Sequence, residues 1–383
     1  MMIKNVYVGM DIGGTKISSA LIDSAGKILA QNKVPTIQKA KPAEIYKQVK
    51  GLIKDLLSQD AAKETNLIGI GIGVPGVIGP DRKSIYITPN INLARYALAA
   101  NLQKLYKVEV VLGNDVNLGL LGEAWLGAAK GMRNVVGIFV GTGVGGAVLI
   151  DGQLITGTNG AAGELGHMII DQNSRVVNAG VRGSVEGLCG RRNIERMIKA
   201  EIKAGKTNVI SGMLDKKSPL IKSKTLKKAI EAKGAVTVGV MKEVCRTLGN
   251  VCISLRHLLN PEAIVFGGGV IEACGDYMLS RIADISDNDP FFKNVDHCRI
   301  LASTLGDDAV LLGAAALIKQ VLSEDGSKVH PKTLMKSVKD GVSVNNVLYK
   351  SSFYIRTDGI IKTVDPQKNP VKSELSGDVS PFL

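Results

Sequence analysis

The sequence has no apolar run of about 18 residues, the length that a membrane-spanning helix needs. Its first residues, MMIKNVYVGMDIGG, lack the basic, apolar and small-residue order of a signal peptide and predict a first β-strand instead. The five cysteines form no C-x-x-C pair; they are Cys189, Cys245, Cys252, Cys274 and Cys298. Scattered cysteines in odd number are typical of free thiols, so we expect a cytoplasmic protein without disulfides or a membrane span.

Aromatic residues are scarce, at 4% of the chain, whereas the formal net charge is +13. Residues 191–260 contain 16 Lys and Arg against 5 Asp and Glu, and they therefore carry +11 of that charge. Such a segment is most often a solvated helical face, and the alternative is attraction for phosphorylated ligands or nucleic acid. Because the segment is nearly free of aromatic side chains that could stack on bases, we expect no nucleic-acid partner.

An internal repeat indicates the fold class. Residues 8–23 (VGMDIGGTKISSALID) and 136–151 (VGIFVGTGVGGAVLID) align without a gap, and each predicts a strand, a glycine-threonine turn and a second strand. Between them, residues 42–57 have the apolar spacing of an amphipathic helix. Two copies of one β-unit about 130 residues apart predict two similar α/β lobes that face each other.

Both glycine turns are candidate phosphate sites. After Asp11, residues Gly13, Gly14 and Thr15 offer backbone N–H groups and a hydroxyl, and Lys16 adds a cation. The turn at 141–146 (GTGVGG) provides the same backbone N–H groups and a threonine hydroxyl, and Gly267, Gly268 and Gly269 follow a further buried strand. Together they predict three backbone contacts for one nucleotide, with Asp11 holding Mg²⁺ through water.

A second acidic position follows another predicted strand. Asn114 and Asp115 stand where that strand ends and a helix begins, so either residue could simply cap the helix. In the alternative, Asp115 is a general base that accepts the proton of a substrate hydroxyl and directs its oxygen at a γ-phosphate.

These motifs occur in an order that resembles the ROK family of sugar kinases and sugar-responsive repressors. They are DIGGTK, GVPG, GND with a later N and GE, GTGVGG, GELGH, GGGV and LGDDAVLLGAA, spread over residues 5–318. The resemblance implies an actin-like, hexokinase-like (ribonuclease H-like) α/β fold with two similar lobes around an active-site cleft. We expect one lobe at 1–113 with 305–322, the other at 114–304, and a small extension at 323–383. Within that extension, residues 351–364 (SSFYIRTDGIIKTV) predict a hairpin around Thr357, Asp358 and Gly359.

The resemblance also implies roles for individual residues. Asp115 corresponds to the catalytic base, and the sugar-binding positions correspond to Asn90, Asn114, Asp115, Glu164, His167 and Glu186. The nucleotide positions correspond to Asp11, Gly13, Gly14, Thr15, Lys16, Gly141, Thr142, Gly143, Gly267, Gly268 and Gly269. ATP and Mg²⁺ are the implied cofactors, and a homodimer or homotetramer is the implied assembly.

One segment departs from the family pattern. Many members follow GELGH with three cysteines that join the histidine on a structural zinc, but those positions hold Val177, Ala179 and Ser184 here. None of these residues is a thiolate donor, and zinc needs about four N, S or O ligands. We therefore predict no structural zinc.

Glu164 and His167 stand three residues apart in the small, apolar stretch NGAAGELGHMIID. Burial in such company would be costly unless a partner satisfies them. The resemblance makes that partner a sugar, whose hydroxyls would bond the carboxylate and the imidazole. The alternative is that His167 is an ordinary core histidine bonded to backbone.

The sequence thus predicts an ATP-dependent sugar kinase, with glucose 6-phosphate as the expected product. Alternatives of the same family are N-acetylmannosamine, N-acetylglucosamine or fructose kinases. An alternative of another class is a sugar-sensing protein without catalysis. The family's repressors carry a winged helix before the first phosphate turn, and that turn begins here at Asp11, so we do not expect a repressor.

Overall fold

The computed structural model describes residues 4–206, 208–214, 220–294, 298–327, 353–357 and 360–364. Packing divides the chain into two compact units, residues 1–322 and residues 323–383. The predicted lobes, 1–113 with 305–322 and 114–304, both fall in the first unit, and their boundaries stay a prediction.

Strands and helices alternate along the first unit. Its first elements are β1 (Lys4–Ile12), β2 (Lys16–Asp23), β3 (Ile28–Pro35), α1 (Pro42–Ser58), β4 (Thr65–Val74), β5 (Val77–Ile78), β6 (Ile85–Ile87), α2 (Leu98–Tyr106), β7 (Glu109–Asn114) and α3 (Asp115–Leu126). Next come β8 (Val135–Val140), β9 (Val144–Ile150), β10 (Gln153–Leu154), β11 (Val177–Asn178), β12 (Val181–Arg182), α4 (Val185–Cys189), α5 (Arg191–Lys203), α6 (Ser223–Glu231) and α7 (Ala235–Leu259). The last are β13 (Ala263–Gly267), α8 (Gly269–Asp287), β14 (Arg299–Ala302) and α9 (Ala309–Ser327).

Two five-stranded sheets have the same topology. One has the strand order β3-β2-β1-β4-β7 and the other β10-β9-β8-β13-β14. In each sheet the first three strands are antiparallel and the others pair in parallel. The prediction of two similar α/β lobes is therefore confirmed. The carboxyl ends of the parallel strands lie at one edge of each sheet, and the predicted site residues Asp11, Asn114 and Gly267 stand at these ends.

Three apolar clusters form the core. One packs α1 and α2 on the first sheet, and α1 buries the predicted apolar face that begins at Ile45. A second packs helices of the later segment, including α7 and α8, on the second sheet. The third contains side chains of α3, α9 and both sheets, and these two helices therefore connect the lobes.

Helices α3 and α9 cross in close contact because glycine stands at the crossing. A Cβ on Gly313 would overlap the carbonyl oxygen of Leu118, and one on Gly122 would overlap that of Ala309. Neither position could hold a larger residue without moving one helix away from the other.

Glu123 holds the end of α3 against the segment that enters α9. Its side chain is fully buried, and its Oε1 accepts hydrogen bonds from the backbone N–H groups of Thr304 and Leu305, both at 2.9 Å. Its Oε2 accepts from Ala128 N–H at 2.8 Å and from the Thr304 hydroxyl at 3.3 Å. Four donors thus satisfy a carboxylate that would otherwise be costly to bury.

The second unit contains the hairpin that the sequence predicts over residues 351–364. Strands β15 (Phe353–Thr357) and β16 (Ile360–Val364) pair antiparallel, with Thr357 opposite Ile360. The predicted turn residues Asp358 and Gly359 lie outside the described residues. Within the described part of the chain, no helix combines the length and apolarity required for crossing a bilayer.

Candidate active site

The first glycine turn joins β1 to β2 and is anchored from two sides. Gly13 N–H donates to Lys16 O at 2.9 Å, and the Thr36 hydroxyl donates to Gly13 O at 2.6 Å. Lys16 Nζ lies 2.7 Å from Asp307 Oδ2, just before α9. The predicted phosphate cation therefore has a carboxylate partner in the structure, and Lys16 lowers the pKa of Asp307 through this hydrogen bond and its charge.

Asn90 lies beside the same turn. A Cβ on Gly14 would be 3.3 Å from the Cβ of Asn90, so glycine permits this close approach. A polar pocket of about 430 Å³ extends from Gly14 and Asn90 towards the chain after β3. The predicted sugar-binding Asn90 and the predicted phosphate turn are thus neighbours.

Asp11 and Asp115 meet at the carboxyl edge of the first sheet. Asp11, the last residue but one of β1, pairs with Gly73 of β4, and β4 in turn pairs with β7, after which Asp115 opens α3. The pKa of Asp11 is raised to about 6, first by burial and then by the negative charge of Asp115, while Lys16 lowers it. The two carboxylates are therefore close enough to interact electrostatically in a partly desolvated place.

The cap position next to Asp115 belongs to Asn114. Asn114 Oδ1 accepts from Asn117 N–H at 3.0 Å, and its Nδ2 donates to Gly76 O at 3.0 Å. Burial raises the pKa of Asp115, against hydrogen bonds from Val116 N–H and the Asn114 side chain that lower it. The capping alternative is thus correct for Asn114. Asp115, at the first helical position, is not the cap of α3.

The second glycine turn, between β8 and β9, is held by Glu186. Glu186 Oε2 accepts from Val144 N–H at 3.0 Å, and its Oε1 accepts from Asn178 Nδ2 at 2.6 Å. A Cβ on Gly143 would overlap this carboxylate, so a larger residue there would displace the Glu186 side chain from the turn. Glu186, which the resemblance assigns to the sugar, also contacts the predicted phosphate turn and carries hydrogen bonds from the protein on both oxygens.

The third glycine group lies next to the second turn in the same sheet. Gly267 pairs with Phe139 of β8, and α8 begins at Gly269. Gly268 has a φ of 84° and approaches the backbone of Val140, which precedes the second turn. The parallel pairing of β8 and β13 therefore brings these two predicted nucleotide-binding segments together.

The segment with Glu164 and His167 packs on β9 through glycines. A Cβ on Gly166 would overlap the carbonyl oxygen of Val144, and one on Gly146 would overlap that of Gly163. A Cβ on Gly163 would be 3.8 Å from Asn117 Oδ1, two residues beyond Asp115, so this segment also approaches the start of α3. Glu164 and His167 are both exposed, so the alternative that His167 is an ordinary core histidine is wrong.

The profile of the ROK family matches residues 7–321. The chain belongs to the ROK family. It is 34% identical to a glucokinase of Halalkalibacterium halodurans, over 82% of this chain and 95% of that protein. It is 27% identical to a xylose repressor of Caldicellulosiruptor bescii, over 81% of this chain and 77% of that protein. Among solved structures, a ROK family glucokinase from Streptomyces griseus in complex with glucose and AMPPNP is similar, with a TM-score of 0.64, 28% identity, and coverage of 82% of this chain and 99% of that one.

The segment in which many ROK proteins carry zinc-binding cysteines folds here as a short hairpin. Strands β11 and β12 pair with Val177 opposite Arg182, and the turn residues Ala179 and Gly180 have φ values of 48° and 80°. Asn178 in this hairpin is the residue that donates to Glu186. In the described part of the chain, no cluster of three or more His, Cys, Asp or Glu residues could hold a metal. The absence of zinc itself stays a prediction.

Sequence reasoning missed several residues that hold the site together. Asp307 and Glu123 stand inside quoted ROK motifs, but a motif alone does not say that Asp307 contacts Lys16 or that Glu123 joins α3 to the chain before α9. No motif in the sequence indicated a role for Asn178, because its hydrogen bond to Glu186 depends on the hairpin turn that follows it. The predicted site residues themselves lie on adjoining strand ends, turns and helix starts of the two sheets.

Proposed function

We propose that this chain is an ATP-dependent hexose kinase, with glucose as the acceptor and Asp115 as the general base. The observation that carries the proposal is the strand pairing β1-β4-β7, which brings Asp11 and Asp115 to the same sheet edge beside the first glycine turn. The similarity to a glucokinase at 34% identity, and to a ROK glucokinase solved with glucose and AMPPNP, supports the choice of substrates.

Asp115 would activate the acceptor. Its raised pKa makes it a stronger base than an exposed aspartate, so it accepts the proton of the sugar hydroxyl as the oxygen attacks the γ-phosphorus. The new O–P bond forms while the bond from the γ-phosphorus to the β-γ bridging oxygen breaks, which leaves sugar phosphate and ADP. Asn114, fixed by its bonds to Gly76 and Asn117, keeps Asp115 at the start of α3.

The donor would lie along the three glycine segments. Their backbone N–H groups offer neutral hydrogen-bond donors to phosphate oxygens, and the start of α8 at Gly269 adds the positive end of a 19-residue helix. The carboxylate of Asp11, partly desolvated and near Asp115, fits the demand of Mg²⁺ for one or two carboxylates alongside phosphates and water. When bound, Mg²⁺ supplies neutralisation of the charge on the transferring phosphoryl group.

The acceptor would lie against the exposed Glu164 and His167. Because Gly146 and Gly166 seat their segment on β9, both side chains stand near the second glycine turn and can hydrogen-bond sugar hydroxyls. Asn90, beside Gly14, would approach the sugar from the first lobe. Glu186 would contact both the sugar and the phosphate turn.

One substitution tests the general base. Asp115→Asn keeps the size of the side chain but removes the base, so kcat should fall by about 10³ while the Kd of glucose changes by less than about threefold. Asp276→Asn, at an exposed position of α8, is the matched control. A variant that retains more than a tenth of the native kcat would remove Asp115 from the mechanism.

A substrate panel separates the remaining alternatives. ADP release is measured with glucose, mannose, fructose and the two N-acetylhexosamines, with and without Mg²⁺, and glucose should give the highest kcat/KM. A higher value for an N-acetylhexosamine or fructose would reassign the acceptor. The similarity to a xylose repressor favours a sugar-sensing protein as the second candidate. Binding of a sugar, with no ADP released from ATP in the presence of any acceptor of the panel, would establish it. The cytoplasmic location and the dimeric or tetrameric assembly stay predictions.

A further inference from the structure

Arg191 lies where the second glycine turn meets α5. As the first residue of α5, it donates its backbone N–H to Gly141 O at 3.1 Å. The preceding residue, Gly190, packs so closely that a Cβ there would be 3.2 Å from the Cα of Gly143. The start of α5 is therefore attached to the predicted phosphate turn by backbone contacts on both sides of Thr142.

The guanidinium of Arg191 spans the distance from this turn to the chain before α6. Its Nη2 is 3.5 Å from Thr142 Oγ1, and its Nη1 donates to Ile221 O at 3.3 Å. Two residues beyond Ile221, the hydroxyl of Ser223 lies 3.9 Å from the position of a Cβ on Gly269. Arg191 thus stands between two of the three glycine segments to which we assign the nucleotide.

Arg191 is not needed to neutralise the acidic residue beside it on α5. The acidic neighbour on α5 is Glu195, whose Oε2 lies 3.8 Å from Arg191 Nη1. Lys199 Nζ is closer to the same carboxylate, at 2.7 Å from Oε1. Because Lys199 already forms the shorter ion pair with Glu195, the guanidinium of Arg191 can donate hydrogen bonds to another anion without leaving Glu195 unpaired.

We propose that Arg191 is a donor-binding residue whose guanidinium binds the phosphate oxygens of the nucleotide beside Thr142. The inference rests on the proposed function and adds a residue that neither the glycine motifs nor the acidic motifs contain. Guanidinium groups match phosphate in a planar, two-bond geometry, and the contact of 3.5 Å to Thr142 is long enough to be exchanged for a shorter, charge-assisted bond. It also gives one function to the basic segment 191–260, which begins at this residue.

Nucleotide binding without turnover tests the inference. Calorimetry measures the Kd of Mg²⁺–ATP, of adenosine and of glucose for the native chain, Arg191→Gln and Arg196→Gln. The control residue Arg196 lies on the same helix and is exposed. Arg191→Gln should raise the Kd of ATP by about 10- to 100-fold, as expected for a lost charge-assisted bond, and should change the Kd of adenosine and of glucose by less than about threefold.

The comparison of ATP with adenosine distinguishes phosphate binding from a structural role. Equal losses for ATP and adenosine, or an unchanged Kd of ATP, would overturn the inference while leaving the kinase proposal intact. A native chain that binds glucose but not ATP would overturn both. Should Arg191→Gln not fold, Arg191→Lys retains the charge but loses the planar fork, and its Kd for ATP should rise by about three- to tenfold.

Discussion

Asp11→Asn should stabilise the fold at neutral pH. The pKa of Asp11 is raised from 3.8 to about 6, so the folded chain holds the proton more tightly than the unfolded chain does. As the pH rises from about 4 to about 6, ionisation of Asp11 therefore lowers the free energy of unfolding, and the full loss is reached above pH 6. Asparagine has nearly the same shape and stays neutral, so it removes that cost.

The size of the effect follows from the pKa shift. A rise from 3.8 to about 6 corresponds to about 3 kcal/mol, at 1.36 kcal/mol for each pKa unit. Asp11 is only half-buried, so screening by water reduces this free energy. We therefore expect Asp11→Asn to raise the free energy of unfolding by about 1 to 3 kcal/mol at pH 7.5, and by much less at pH 4.

Urea unfolding from pH 4 to pH 8 measures the difference between the variant and the native chain. The difference should grow from about pH 4 to pH 6 and then level off, whereas the exposed Asp55→Asn control should stay near zero throughout. The same variant should lose more than about tenfold in kcat if Asp11 holds Mg²⁺. A variant less stable than the native chain at pH 7.5, or a difference independent of pH, would refute the reasoning.

Two further substitutions test the contacts that build the site. Glu123→Ala leaves three half-buried N–H groups without their acceptor and should lower the free energy of unfolding by about 3 kcal/mol, whereas Glu123→Gln leaves about one of them without an acceptor and should lower it by about 1 kcal/mol. Urea unfolding checks both, with exposed Glu272→Gln as control, and equal losses would contradict the role of the four hydrogen bonds. The Cβ of Gly166→Ala would overlap Val144 O and should displace the segment with Glu164 and His167, so the KM of the sugar should rise by about tenfold or more. Gly239→Ala, which has open space on α7, is the control and should leave the KM unchanged. An unchanged KM in Gly166→Ala would show that this close approach does not position Glu164 and His167.

Patterns between near neighbours in the chain predicted the local structure well. The two glycine-threonine repeats correspond to β1–β2 and β8–β9, because a strand, a tight turn and a return strand are decided by about sixteen consecutive residues. The apolar spacing over 42–57 became α1 for a similar reason. The helix start at Asn114 was also readable, although only the hydrogen bond to Asn117 N–H decided which of two neighbours is the cap.

Burial and pairing across the fold were less predictable. The apolar company of Glu164 and His167 in the sequence suggested burial, but their segment lies on the surface of β9, with the glycines turned inward and these two side chains turned out. Lys16 was expected to supply a cation near the phosphates, and its contact with Asp307, 291 residues away, had no signal in the sequence. A residue's neighbours in the chain do not determine which face of a loop meets solvent.

The sequence by itself determined the repeated strand-turn-strand units, the glycines of the three segments that we propose bind the nucleotide, and the presence of an aspartate at two strand ends, since each depends on a few adjacent residues. Only the tertiary structure decided that Asp11 and Asp115 share one sheet edge, that Glu123 joins α3 to the chain entering α9, and that Arg191 contacts Thr142. These contacts depend on how strands pair and helices cross over hundreds of residues. Electrostatic and hydrogen-bond energies act over a few ångströms of space, whatever the separation along the chain.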